Sequence, residues 1–253
     1  MGKIIAVVNQ KGGVGKTTTA VNLTAALTDL GLRVLLCDFD PQANASSGLG
    51  VDKRKLHNSV YDTIINDVSA AEVIVHTKFG DVLPATADLA GAGVELITME
   101  NPNMRLKNAL QQVAGNYDVI FIDCPPSLEL LTLNALAAAD GILVPVQCEY
   151  YALEGLSQLI HTVNLVKERL NEELYMEGVV FTMYDSRTNL SAQVVENVKQ
   201  HFKQKVFDTV IPRNIRLAEA PSFGMPICMY DPKSAGAEAY RNLADEIINR
   251  KDL

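Results

Sequence analysis

The chain has 253 residues, 48% of them hydrophobic and 21% charged, with 16 glycines and 10 prolines; this make-up is that of a globular protein and excludes disordered, collagen-like and membrane-spanning classes. Lys and Arg number 22 against 30 Asp and Glu, a net charge of −8, so any contact with nucleic acid has to use a local basic patch and not the surface as a whole. Cys37, Cys124, Cys148 and Cys228 stand far apart with no C-x-x-C pair, which excludes a zinc ribbon or a small disulfide scaffold and predicts buried thiols in a reducing compartment.

The first apolar run, residues 4–8, is too short for the core of a signal peptide and no small-residue cleavage site follows it. Ala6 stands where a myristoylation motif requires Ser or Thr. No stretch approaches the roughly 18 apolar residues of a spanning helix. These readings predict a cytoplasmic protein without stable membrane insertion.

In chain order, Val-, Ile- and Leu-rich runs recur at 4–8, 34–37, 119–122, 142–146, 179–183 and 206–211, the pattern of strands buried on both faces of a parallel sheet. Between them, residues 17–30, 103–113, 128–139, 153–170 and 191–202 carry apolar residues at three- and four-residue spacing, and Gly31 sits where the first such helix should stop. The alternation predicts an α/β fold, a doubly wound and mostly parallel sheet flanked by helices. No linker tract or internal repeat interrupts it, so residues 1–253 read as one domain. Residues 51–91 are less regular and predict a helix and short strands on one sheet edge. Residues 237–248 place Tyr240, Leu243, Ala244, Ile247 and Ile248 on one helical face, a core-packing stripe; Glu238, Asp245 and Glu246 on the remainder argue against a membrane-surface helix.

Directly after the first strand comes Lys11-Gly12-Gly13-Val14-Gly15-Lys16-Thr17-Thr18, followed at once by a helical pattern. Glycines let consecutive N–H groups turn toward phosphate oxygens, the helix N-terminus adds partial positive charge, Lys16 reaches the β- and γ-phosphates and the Thr17 hydroxyl ligates Mg²⁺. The common pattern G-x-x-x-x-G-K-[ST] requires glycine at position 10, where this chain has Gln10, and does not call for a second lysine at Lys11. The loop is therefore a deviant P-loop. Lys11 is either a solvated surface lysine or a cation donated across an interface to another subunit's nucleotide, as an arginine finger is.

Two acidic sites accompany the loop. The second strand runs into Asp38-Phe39-Asp40-Pro41-Gln42, and the run 119–122 ends in Asp123-Cys124-Pro125-Pro126. Carboxylates at the C-terminal ends of parallel strands face the ligand crevice of such sheets. Asp123 has the apolar-run-plus-Asp form of a Mg²⁺-holding carboxylate. If the second strand continues, Asp38 and Asp40 point to one face, one to serve the metal and the other to reach toward the γ-phosphate. A helix N-cap or turn role is the alternative for each.

These segments, with Pro145-Val-Gln-Cys-Glu-Tyr-Tyr-Ala152 and Ile211-Pro-Arg-Asn214, make the chain similar nearly end to end to the deviant-Walker ATPases, and most closely to chromosomal ParA/Soj partition ATPases. The resemblance implies an ATPase with ATP and Mg²⁺ as cofactors, in which ATP drives a sandwich homodimer. It implies that Lys11 reaches the partner's phosphates, that Asp40 positions the attacking water, that Asp38 and Asp123 support Mg²⁺, and that Pro212, Arg213 and Asn214 lie against adenine. It also implies non-specific binding of double-stranded DNA by the ATP dimer through Arg187 and Arg216, release on hydrolysis stimulated by a ParB/Spo0J-type activator, and a nucleoid-associated location. Residues 184–216 carry a local net charge of +3, which a solvated helix face would also explain.

Longer partition proteins carry an N-terminal helix-turn-helix, whereas here the first strand begins at residue 4, so no such module is expected. The rivals are a cargo-positioning ParA-like ATPase, a MinD-like membrane-associated ATPase and an iron-protein-like electron carrier, the last disfavoured because its paired cluster cysteines find no match in the spacing. A nucleotide switch with negligible turnover is the non-enzymatic alternative.

Overall fold

Alternate residues of the first strand point to opposite sides of the molecule and both sets are buried: Ile4, Ala6 and Val8 join one apolar cluster, Ile5 and Val7 the other. This is the environment of a central strand covered by helices on both faces. The computed structural model describes residues 2–250, leaving aside the side chain of residue 204. Among these residues one sheet is formed by β1 (Lys3–Val7), β2 (Val34–Asp38), β3 (Val75–Thr77), β4 (Gly80–Leu83), β5 (Val119–Asp123), β6 (Gly141–Gln147), β7 (Tyr175–Tyr184) and β8 (Val206–Pro212), in the order β3-β4-β2-β5-β1-β6-β7-β8. Every adjacent pair is parallel except β3 with β4. The doubly wound, mostly parallel sheet is therefore as expected.

The helices are α1 (Lys16–Asp29), α2 (Asn44–Gly48), α3 (Val60–Ile65), α4 (Ala70–Val73), α5 (Leu89–Leu96), α6 (Arg105–Gln111), α7 (Leu130–Ala138), α8 (Ala152–Arg169), α9 (Asn189–Phe202), α10 (Ile215–Glu219), α11 (Ile227–Tyr230) and α12 (Ala235–Asn249). Leu23 and Leu27 of α1 and Tyr240, Leu243 and Ile247 of α12 share one cluster, while Leu89, Leu106, Leu136, Leu156 and Val198 of α5 to α9 share the other. Gly31 stops α1 at φ +90°, its N–H donating to the Thr28 carbonyl at 2.9 Å, a left-handed terminus that glycine adopts without steric cost. Ser234 starts α12 by accepting from the N–H of Ala237.

The departures from the expected elements have local causes. β7 begins at Tyr175, earlier than its apolar run, because Glu177 is buried there against Lys3 at 2.7 Å and interrupts the hydrophobic signal. Residues 51–91 hold a 3-10 turn at Lys53–Lys55, α3, α4 and the start of α5, beside the edge strand β3 and its neighbour β4. β2 ends at Asp38, so Asp40 lies beyond the strand and the two carboxylates do not share a pleat face. Cys37, Cys124 and Cys148 are buried as expected, whereas Cys228 is only half-buried. No helix among the described residues is long and apolar enough to cross a membrane.

β1 sits between β5 and β6, with Val7 opposite both Asp123 and Leu143. The connections leave in opposite directions on either side of it, which opens a crevice at the carboxyl ends of these strands.

Candidate nucleotide site

The phosphate loop fills that crevice. Gly13 and Gly15 have φ of +73° and +89°, conformations that side chains resist, and Gly15 is the N-cap of α1. The loop is pinned from three sides. Asn9 accepts the N–H of Lys11 at 3.0 Å and donates to the Pro145 carbonyl of β6 at 2.8 Å. Gln10, in place of the usual glycine, donates to Gln158 of α8 at 2.6 Å. Thr182 of β7 donates to the Val14 carbonyl at 2.8 Å.

Lys16 is buried at the base of the loop, its ammonium donating to the Lys11 carbonyl at 3.0 Å. Burial lowers its pKa, opposed by the charges of Asp123, Cys124 and Asp40. Asp38 and Asp123 are partners in the β2/β5 register and both are fully buried. Asp38 accepts at 2.7 Å from both the N–H and the hydroxyl of Ser46, and at 3.4 Å from the N–H of Asp40; burial nevertheless pushes its pKa up to about 6, with those hydrogen bonds opposing. Asp123 is raised well above the carboxylate range by burial and then by the charge of Asp38. The Thr17 hydroxyl lies near enough to Asp123 to oppose that rise, but neither oxygen of Asp123 has a well-formed hydrogen bond. Asp40 is buried, its carboxylate accepting from the N–H of Gln42 at 2.9 Å.

An unsatisfied buried carboxylate beside a threonine hydroxyl at the N-terminus of a helix fits a divalent cation, because such a cation supplies the missing charge partner. Mg²⁺ in nucleotide sites takes one or two protein ligands and completes its shell with phosphates and water, and Asp123 with the neighbouring Thr17 hydroxyl offers such a pair.

Two cavities meet at this point. One of about 350 Å³ is lined by Gly12, Gly13, Lys16, Thr17, Asp40 and Gln42. The other, about 410 Å³ and more apolar, is lined by Ile211, Pro212, Arg213, Asn214, Leu217 and Tyr240. Gly15, Thr18 and Met183 line both, so a more polar space and a more apolar one adjoin each other. A larger cavity of about 620 Å³ lies elsewhere, between residues 49–56, 75–79 and 223–225, and holds none of the loop or its aspartates.

The two remaining sets of expected residues stand outside the crevice. Lys11 turns its ammonium away from the loop and pairs with Glu149. Arg187 and Arg216 are exposed, but Arg187 is held by both oxygens of Asp185, and Arg216 by Glu219 at 2.8 Å and Asp231 at 3.5 Å. Sequence reasoning missed Ser46, Glu149, Thr182, Met183 and Tyr240. Each is brought to the site by tertiary structure; only Glu149 lay within a quoted motif, without a partner assigned.

A glycine loop at the topological switch point, a buried lysine and paired aspartates define a P-loop nucleotide-binding protein of the deviant-Walker type. Residues 2–176 match the family described as AAA domain. The sporulation initiation inhibitor protein Soj of Bacillus subtilis is 59% identical over 98% of this chain and 98% of its own. The chromosome partitioning protein ParA of Myxococcus xanthus is 55% identical over 99% of this chain and 89% of its own. Among solved structures, a Mycobacterium smegmatis protein described as cobyrinic acid a,c-diamide synthase with bound ADP and magnesium superposes with a TM-score of 0.87 at 40% identity, over 99% of this chain and 96% of that one. The chain belongs to the ParA/Soj-type chromosome partition ATPases of the MinD/ParA family.

Proposed function

We propose that this protein is a Mg²⁺-ATP-dependent dimerising switch that binds double-stranded DNA non-specifically as the ATP dimer and segregates a chromosome or plasmid with a ParB/Spo0J-type partner. The observation that carries the reading is the division of labour between two lysines. Lys16 lines the phosphate cavity from within, while the ammonium of Lys11 pairs with Glu149 instead, which supports a role for Lys11 toward a nucleotide held by a second copy.

In this reading Gly12 to Thr18 bind the phosphates, Pro212, Arg213 and Asn214 line the adenine, and Thr17 and Asp123 hold Mg²⁺. Asp38, with its oxygens engaged by Ser46 and Asp40, supports the cation from behind. Bound Mg²⁺ neutralises charge on the phosphate oxygens. Asp40 orients the attacking water and takes its proton. Lys11 of one subunit and Lys16 of the other both face the charge that develops on the transferred phosphoryl group. Intrinsic turnover is weak, and the partner raises it. The whole chain, residues 1–253, acts as one ATPase unit, cytoplasmic and nucleoid-associated.

The test is retention of Asp40→Ala on non-specific duplex DNA with Mg²⁺ATP or Mg²⁺ADP across a salt series. Binding with ATP alone, lost as salt rises, is the expected result. Absence of binding in both states, with an ATP dimer present, removes DNA from the function and leaves a membrane-associated or cargo-positioning switch.

A further inference from the structure

β7 loses register against β8 between Phe181 and Tyr184, and inside that irregularity Met183 has φ +50°, a left-handed conformation that a non-glycine residue holds only where its surroundings enforce it. On its other edge β7 keeps register from Gly178 to Thr182: Thr182 is opposite Gln147 of β6, and the N–H of Cys148 donates to its carbonyl. The left-handed Met183 thus follows directly on the last residue paired with β6, with Thr182 anchored from behind. Bulges next to active sites re-aim side chains, and here the side chains on either side of the irregularity, Thr182 and Met183, both meet the nucleotide site. Thr182 is buried, its hydroxyl donates to the Val14 carbonyl at 2.8 Å, and its methyl lies 3.5 Å from where a Cβ on Gly15 would stand. Met183 lines both the phosphate and the base cavity.

We infer that the bulged pair Thr182–Met183 is a positioning element of the nucleotide site: Thr182 sets the phosphate loop in its phosphate-accepting conformation, and Met183 forms the partition between phosphate and base. The Val14 carbonyl and the Gly15 N–H belong to one trans peptide and point in opposite directions. Holding that carbonyl against β7 therefore turns the N–H toward the cradle before any ligand arrives, at no cost on binding. Thr182 lines only the apolar cavity and acts on the phosphates through the loop, as a positioning residue, whereas Met183 lines both cavities.

The inference rests on the ATP reading of the site, and the experiment separates the two. A fluorescent ATP analogue with Mg²⁺ is displaced by ATP and, separately, by inorganic triphosphate, which has no base. Thr182→Val keeps the side-chain shape without the hydroxyl and is expected to weaken both competitors about tenfold, equivalent to about 1.4 kcal/mol; Thr182→Ser restores the donor and wild-type affinity. Met183→Gly keeps the left-handed backbone without the partition and is expected to weaken ATP while leaving triphosphate unchanged. Melting without nucleotide confirms folding, and Thr182→Ala replaces the valine variant if that one does not fold. Wild-type affinity in the hydroxyl-free variant, equal losses in Thr182→Ser and Thr182→Val, or a loss restricted to ATP in Thr182→Val would each overturn the assignment. Failure of the wild type to bind either compound instead removes the ATP reading.

Discussion

The ammonium of Lys11 is paired with Glu149 of the same chain, while the carbonyl of Lys11 receives the ammonium of Lys16. The two lysines of the loop are thereby kept apart, one inside the cradle and one latched to the loop after β6. A lysine that serves another subunit must first leave Glu149, and an exposed or half-exposed pair of this kind is worth only about 0.2–1 kcal/mol. The latch is weak enough to be exchanged for a phosphate.

Lys11→Ala is accordingly expected to bind ATP as the wild type does and to fail to dimerise with it, as light scattering in Mg²⁺ATP would show. Dimers of wild-type affinity would contradict a role in trans. Glu149→Gln removes the competing carboxylate, and its dimer is expected to form more tightly by up to about fivefold per pair, about 30-fold for the two pairs of a symmetric dimer.

Lys16 and Asp40 separate binding from chemistry. Lys16→Ala deletes the buried cation of the cradle, with an expected loss of about 100-fold or more in ATP affinity, the scale of two hydrogen bonds to charged groups. Asp40 lines the phosphate cavity and not the base cavity, and its carboxylate accepts from the backbone N–H of Gln42. Asp40→Ala is expected to retain ATP and the dimer while turnover falls by about 10² to 10⁴, the usual contribution of a positioned base. Titration calorimetry and phosphate release measure the two effects; turnover at the wild-type rate would remove Asp40 from the chemistry.

The aspartate pair predicts an unusual dependence on pH. Asp38 titrates near 6 in the folded protein and Asp123 is also raised, both chiefly by burial, against about 3.9 in an unfolded chain. Between these values the folded state holds more protons than the unfolded one, so this pair makes the nucleotide-free protein more stable as pH falls from about 7 toward 5. Mg²⁺ requires the ionised form, and Mg²⁺ATP affinity should fall over the same interval. Asp38→Asn keeps an acceptor for Ser46 without the charge; its melting temperature at pH 8 should exceed that of the wild type, and the difference should shrink toward pH 5. A constant difference across that range would show that Asp38 is not the titrating group.

Much of this site is legible in the sequence because its signals are local. The loop is eight consecutive residues, and Asp38 and Asp123 each close a buried apolar run whose strand ends follow within a residue or two. What is not legible depends on partners far along the chain. Nothing near Thr182 announces that its hydroxyl meets Val14, and a methionine gives no warning of a left-handed backbone. The helices α2, α10 and α11 span only four or five residues, too few turns to show a 3.6-residue period. A shared face for Asp38 and Asp40 depends on the second strand continuing, which the residues alone do not decide; the chain turns after Asp38, with the N–H of Ala43 donating to the Asp40 carbonyl at 2.8 Å.

The proposed DNA surface carries its own restraint. Arg187 is exposed yet bound by both oxygens of Asp185, whose carboxyl it holds far below the usual range, and Arg216 sits between Glu219 and Asp231. A phosphate has to displace these carboxylates, so part of each arginine's attraction is already spent within the fold. Arg187→Ala and Arg216→Ala are each expected to weaken duplex binding and to flatten its salt dependence by about 0.9 per lost phosphate contact, doubled in a symmetric dimer. Asp185→Asn and Glu219→Gln are expected to act in the opposite sense on affinity, with tighter binding at an unchanged slope, since each frees an arginine without adding a contact. Fluorescence anisotropy on a labelled duplex between about 50 and 200 mM salt, in an Asp40→Ala background with Mg²⁺ATP, reads all four variants. If the arginine variants keep wild-type affinity and the carboxylate variants change nothing, DNA does not meet the protein at this surface, and its +3 charge is that of a solvated face.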